Sequence, residues 1–248
     1  MPLSTTVHDL RTLIRSSHPL IVIETVEEDR VMTLLQSVAA QERMPLFEWS
    51  ITRGLTRPEE GPSLSKLTAT PLAALQHLNG LTVEGIFWLK DLAPHLQDAA
   101  VARQLREVSH HLSRSRATCV MTGHPITLPL DLDQIAVRFD LQLPDRDELH
   151  AMLQSVLQSL RTRTSPRRPT STTVVQSLLN SMATPKPTMA GPSDQDCEAI
   201  LRALQGLTLH QARQVITQCV IEDGVLSADD VQTILTRKVQ AIRDGGLL

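Results

Sequence analysis

Tyrosine is absent from this chain, and three phenylalanines and two tryptophans leave aromatics at 2% of its 248 residues. Single-stranded nucleic acid is held largely by stacking bases on aromatic side chains, so that mode of action is not expected. Cationic excess is missing too. Lys+Arg number 24 against 27 Asp+Glu, for a net charge of −3, which argues against direct nucleic-acid binding and against an anionic-membrane surface. No run reaches the roughly 18 apolar residues of a membrane span, so no membrane span is expected. The opening Met1-Pro-Leu-Ser-Thr-Thr-Val-His-Asp9 has no cationic region followed by an apolar core, so no secretory signal is expected. Cysteine is scarce: Cys119, Cys197 and Cys219 are far apart and form no C-x-x-C pair. They read as reduced thiols of a cytoplasmic protein, with no metal site expected. What remains, 41% hydrophobic and 21% charged residues, is the composition of a globular chain able to bury a core.

The pattern along the chain falls into two halves. In 1–144, the strand-like runs Leu20–Glu24, Leu46–Ile51, Gly85–Lys90, Ala117–Thr122 and Ile135–Leu141 alternate with helical patterns. That alternation predicts an α/β domain in which a parallel sheet lies between two helix layers. Residues 145–248 read as wholly helical. Asp145 with Glu148, Thr208 with Gln211 and Ser227 with Asp230 have the spacing of capping boxes ahead of apolar stripes. A Pro/Ser/Thr-rich insertion at about 161–195 is expected to be flexible. Inside it, Val174, Val175, Leu178, Leu179 and Met182 line one side of a short helical pattern, read either as packing back on the bundle or as a tether for a partner.

The most informative segment is Pro19-Leu-Ile-Val-Ile-Glu-Thr-Val-Glu-Glu-Asp-Arg-Val31. An apolar strand runs into a short turn, and then a helix carries Val31, Leu34, Leu35 and Val38 at i, i+3, i+4 and i+7. This is the layout of a phosphate-binding loop, whose working form G-x-x-x-x-G-K-[ST] offers backbone N–H groups, a lysine and a metal-holding hydroxyl. The same spacing here sets Glu24 and Asp29 at the glycines, Arg30 at the lysine and Val31 at the hydroxyl. Glu27, Glu28 and Asp29 would oppose a polyphosphate.

Further landmarks follow in order. Gly85-Ile-Phe-Trp-Leu-Lys-Asp91-Leu92 resembles the second nucleotide motif of AAA+ ATPases, with Lys90 interrupting it and Leu92 in place of the water-activating glutamate. Ala117–Pro125 is similar to the sensor strand of that superfamily, with His124 at its asparagine. Val137-Arg138-Phe139-Asp140 and Leu143-Pro144-Asp145 are similar to the segments leading into its helical lid. More closely, Ser17–Arg30, Phe47–Ser50, Trp88–Asp91, Gly206–Leu209 and Lys238–Gly245 resemble the N-terminal half of the cyanobacterial and plastid-encoded AAA proteins. Those proteins are implicated in inorganic-carbon use, and they carry a degenerate first module before a full ATPase module. The resemblance implies a three-layer α/β/α, P-loop NTPase-like core with a C-terminal helical lid.

The expected role is a catalytically inactive AAA+-like module, without catalytic residues or cofactor. It would act as a structural or regulatory assembly unit whose partner is an active AAA+ ATPase module in cis or in trans, or another copy of itself. Alternatives are weak nucleotide binding through Arg30 and Lys90, and an adaptor resembling a clamp-loader subunit. Candidate interface residues are Arg114, Arg116 and Arg138, set against Glu27, Glu28 and Asp29 of a neighbour. Each candidate also has a plainer reading. The carboxylates of Glu24, Glu27, Glu28 and Asp29 suit the N-terminus of a helix as self-caps, against a partner-contacting patch or a divalent-cation site. Lys90 suits a salt bridge to Glu24 or Glu28. Arg138 suits an ion pair with Asp140 or a lid carboxylate. His110 and His111 suit a helix C-terminus, and no proton-transfer partner is evident for His124.

Overall fold

The computed structural model describes residues 3–58, 66–164, 193–223 and 230–244. The chain divides into two compact units, Met1–Gln142 and Leu143–Leu248. The first is built on strands β1 (Leu20–Glu24), β2 (Leu46–Ser50), β3 (Gly54–Thr56), β4 (Ile86–Lys90), β5 (Thr118–Gly123) and β6 (Ala136–Arg138). They form one sheet in the order β3-β2-β4-β5-β1-β6. All neighbours are parallel except β2 and β3.

The central strands are apolar on both faces because both faces are covered. Along β1, Leu20 and Val22 enter one core with helices α3 (Pro71–Asn79) and α4 (Ala99–Leu112), while Ile21 and Ile23 enter another with α1 (Leu3–Arg15) and α2 (Glu28–Glu42). Two residues one step apart thus serve two layers, as the period of a strand requires. Val31, Leu34, Leu35 and Val38 of α2 are fully buried, and the helix stops where Arg43 turns left-handed at φ 55°. The two indoles are buried with their N–H groups satisfied, Trp49 donating to the Thr68 carbonyl and Trp88 to the Thr122 hydroxyl, both at 2.8 Å.

Some elements of this unit were not anticipated. Helix α1 buries Val7, Leu10 and Ile14 against α2. Strand β3 is a three-residue antiparallel edge, entered through Gly54 at φ 72°. The expected strand Ile135–Leu141 is paired only over Ala136–Arg138, after the short helix α5 (Leu130–Asp133).

The second unit is helical: α6 (Arg146–Thr164), α7 (Asp194–Leu204), α8 (Leu209–Asp223) and α9 (Asp230–Asp244). Leu149, Leu153, Ile200, Leu204, Ile216 and Ile234 form its centre. Reciprocal caps start two helices, Asp145 with Glu148 and Thr208 with Gln211. A third box, Ser193 with Asp196, opens α7 inside the stretch expected to be an insertion. That stretch is also shortened at its start, since α6 runs on to Thr164. The Val174–Met182 pattern, Arg167, Arg168 and Ser227 lie outside the described residues.

Candidate functional site

Three residues, Thr25–Glu27, join β1 to α2. In a phosphate loop the amides at this place point at the anion. Here the chain uses them itself. The N–H of Thr25 donates to the Gly123 carbonyl and that of Glu27 to the Thr25 hydroxyl, both at 3.0 Å. Those of Glu28, Arg30 and Val31 donate to Val26 and Glu27 carbonyls at 3.1 Å. Among the described residues the non-glycines with positive φ are Ser17, Arg43 and Asp91, so this turn has none of the left-handed backbone that glycines supply to a phosphate loop.

The side chains are committed as well. Arg30, at the lysine position, is 5% exposed, with Glu27 Oε2 at 3.6 Å, and its guanidinium donates to the Gln142 carbonyl. Val31, at the hydroxyl position, is fully buried in the apolar core. Glu27 occupies the N-cap but makes no side-chain cap hydrogen bond, so the self-capping expected of these carboxylates does not describe it. Asp29 is exposed on the first turn of α2.

At the end of β4 the four apolar residues Ile86–Leu89 are followed directly by Lys90 and Asp91. Counted from the strand, Lys90 holds the first acidic position of the motif and Asp91 the second, one residue earlier than the sequence reading set Asp91 and Leu92. In either register one acid is lost, to Lys90 or to Leu92, and Leu92 is 1% exposed in the core beside α4. Asp91 sits at φ 50°, and Gly123 accommodates it: a Cβ at 123 would lie 3.2 Å from Asp91 Oδ1.

Lys90 is bound into a network of carboxylates and an indole. Its Nζ lies 3.1 Å from Glu28 Oε2, 3.2 Å from Glu48 Oε2 and 4.0 Å from the centre of the Trp88 ring. The salt bridge to Glu28 was one of the two expected; Glu48 takes the place of Glu24. Glu48 also meets Arg53 at 2.9 Å. Its Oε2 makes no hydrogen bond, so its pairing with Lys90 is a contact of charges. These residues line a cleft of ≈ 510 Å³ between α2 and the carboxyl ends of β2 and β4, with Asp29, Met32, Gln36 and Pro58 on its rim.

Glu24 turns elsewhere, to His124 Nδ1 at 3.6 Å and Arg138 Nη1 at 3.7 Å. His124 therefore has a carboxylate neighbour that the sequence did not reveal. Arg138 also pairs with Asp133 at 3.0 Å, so Glu24 and Asp133, not the expected Asp140, are the carboxylates it meets among the described residues of the first unit. The three candidate interface arginines do not share one surface. Strand register sets Arg138 level with Met121, five residues beyond Arg116, which is about 16 Å along the strand direction. Arg116 lies at the opposite end of the sheet, 3.5 Å from Glu42. Glu42 is a half-buried carboxylate also met by Arg11 and Arg15. The Arg11 hydrogen bond, with the charges of all three arginines, holds its pKa below the ordinary value despite burial. Arg114 is exposed. His111 Nε2–H donates to the Leu81 carbonyl, 2.9 Å away. Burial pushes the Cys119 thiol up to about 12, which leaves it unreactive.

A mostly parallel sheet in this order between two helix layers, with a strand–turn–helix at β1 and a following helical unit, defines an AAA-type, P-loop NTPase-like fold. Solved structures agree on that fold. The AAA domain of FIGL-1 in complex with ADP superposes with a TM-score of 0.55 at 14% identity, covering 92% of this chain and 75% of that one. A katanin structure that addresses katanin self-assembly gives 0.53 at 10% identity, covering 95% and 84%. The family model of the SpoVK-like AAA ATPase N-terminal domain matches residues 6–141, and that of the second domain matches residues 172–245. The chain belongs to the SpoVK-like AAA ATPase family. Among relatives, the AAA domain-containing protein ycf46 of Trieres chinensis is 25% identical over 97% of this chain, and that of Pyropia yezoensis 24% over 97%. The chain spans 43% of the length of each.

Proposed function

We propose that this chain is a catalytically inactive AAA+-like module that serves as a structural or regulatory assembly unit for an active AAA+ ATPase. The observation that carries the reading is the use of five amides, Thr25 and Glu27 in the turn and Glu28, Arg30 and Val31 in the first turn of α2, as donors to the chain's own acceptors. A polyphosphate would have to break those bonds and then meet Glu24, Glu28 and Asp29. Each like-charge contact costs on the order of 1–4 kcal/mol at contact. The relatives are about twice as long as this chain, which leaves room for an active module in cis or in trans. A connection to inorganic-carbon use rests on the resemblance alone and belongs to the same proposal.

The test is sedimentation velocity of the chain mixed with the ATPase module of a full-length relative, with the ATPase rate read in parallel. A complex and a changed rate are expected, both weakened by Arg138→Glu. A mixture that stays unassociated at tens of micromolar, where any affinity stronger than about −6 to −7 kcal/mol would appear, removes the assembly role.

A further inference from the structure

Helix α4 covers the face of the sheet opposite α2, and its outer side carries cations that the role proposed above does not use. Arg103, Arg106 and His110 follow at i, i+3 and i+7, so they share one side of the helix over about 10 Å. Arg114, just past the last turn, joins them, and with Asn79 at the end of α3 they line a pocket of ≈ 480 Å³. Because α4 leads into β5, which runs parallel to β1, Arg114 lies toward the amino ends of the strands. The turn between β1 and α2 lies at the carboxyl ends and on the other face, so the pocket is separate from it.

Among the described residues the lining has no apolar side chain, and its three guanidinia face one lining carboxylate, that of Glu107. An acyl chain or a base has little to pack on there, whereas an anion has donors. The dipole of α4 accounts for cations in its last turn, but that effect fades within a turn, and Arg103 stands nine residues before Leu112. The donors are also not used up. Arg114 is exposed and has no ion-pair partner among the described residues. Arg106 pairs with Asp131 of α5, outside the lining, yet its Nε is buried without a hydrogen-bond partner. Arg103 meets Glu107 at 2.8 Å, with side chains 64% and 41% exposed. Such an exposed i, i+4 pair contributes little, so Arg103 changes to a more highly charged acceptor at small cost.

We propose that this pocket binds a small phosphomonoester, with Arg103, Arg106 and Arg114 around its phosphate and Asn79 and His110 as further donors. A carboxylate is satisfied by one guanidinium fork, whereas a phosphate offers oxygen pairs in several directions and suits guanidinia placed around it. The volume falls within the roughly 300–1,000 Å³ of small-ligand pockets and leaves room beyond the phosphate for a polar body such as a sugar. The site does not rest on the assembly role, and either stands if the other fails.

The test is isothermal titration of the full chain at low ionic strength with glucose 6-phosphate as the probe. Saturable binding with a Kd below about 1 mM is expected. Inorganic phosphate should displace the probe, and glucose should not bind. Arg114→Gln should weaken binding about fivefold or more, and Arg103→Gln combined with it about thirtyfold, as charge-assisted hydrogen bonds are lost. Arg213→Gln, at an exposed arginine of the helical unit, should leave it unchanged. Circular dichroism checks folding, and Arg114→Gln alone decides if the double variant unfolds. The proposal is overturned by the absence of saturable binding up to about 10 mM, by an affinity that Arg114→Gln leaves intact, or by an equal loss in Arg213→Gln. Tighter binding of a single-stranded oligonucleotide than of the sugar phosphate overturns it too, because the cations would then form an open backbone-binding patch.

Discussion

Replacing Lys90 with Met tests whether the end of β4 has become a structural ion network. The Lys90 side chain is 10% exposed and lies between Glu28, 47% exposed, and Glu48, 6% exposed. Methionine keeps most of the volume and the contact with Trp88 but removes the ammonium. Glu28 can return to water. Glu48 cannot, and it keeps only Arg53, whose side chain is 40% exposed. Removing one partner of a buried pair costs about 3–5 kcal/mol, and the retained arginine reduces that here to about 2–3 kcal/mol. For a chain of this size the loss corresponds to roughly 4–12 °C in Tm. Urea denaturation followed by tryptophan fluorescence is the assay, because both tryptophans, Trp49 and Trp88, lie in the first unit. Adding Glu48→Gln should recover stability, so that the double substitution costs at least about 1 kcal/mol less than the singles combined. A Lys90→Met loss below about 0.5 kcal/mol, or strict additivity with Glu48→Gln, refutes the reasoning, since an exposed pair behaves that way.

Three further outcomes follow from the same geometry. Arg30→Met strips the Gln142 carbonyl and Glu27 of their buried cation and should cost about 2 kcal/mol in the same denaturation assay. Combining Glu24→Gly, Asp29→Gly and Val31→Thr should not restore ATP hydrolysis in a phosphate-release assay, because the acid pair after Leu89 still contains Lys90. Glu42 is held at a lowered pKa in the folded state, so its contribution is present above the ordinary glutamate value and fades as pH falls through the lower folded one. Glu42→Gln should therefore destabilise the chain at neutral pH and flatten its loss of stability below about pH 4, read from urea midpoints across pH.

Local patterns carried much of the fold into the sequence. The run Leu20–Ile23 and the stripe Val31, Leu34, Leu35 and Val38 identify β1 and α2 because burial on two faces and on one stripe impose different periods. Helix α1 carries a comparable signal, with Val7, Leu10 and Ile14 at i, i+3 and i+7. Strand β3 was not readable: three residues beginning with glycine carry no alternation, and β2 alone holds them in place. The site divides on the same principle. The proposed placing of Glu24, Asp29, Arg30 and Val31 at the glycine, lysine and hydroxyl positions rests on spacing along one segment. The partners of Lys90 and Arg138 do not. Glu48 meets Lys90 because β2 and β4 are neighbours in a register that pairs Glu48 with Trp88, and Arg138 meets Glu24 because β6 pairs with β1. Lateral order of strands is a property of the whole sheet, and a linear reading could narrow Lys90 to two carboxylates yet miss a third.

The proposed inactive role requires that the turn between β1 and α2 does not hold nucleotide. Isothermal titration of the full chain with ATP and magnesium measures it most directly. No binding tighter than about 10 μM, near −7 kcal/mol, is expected, and no gain on replacing ATP with ADP. Saturable binding tighter than that, abolished by Arg30→Met, would contradict it, because Arg30 would then have to leave Glu27 and the Gln142 carbonyl for a phosphate.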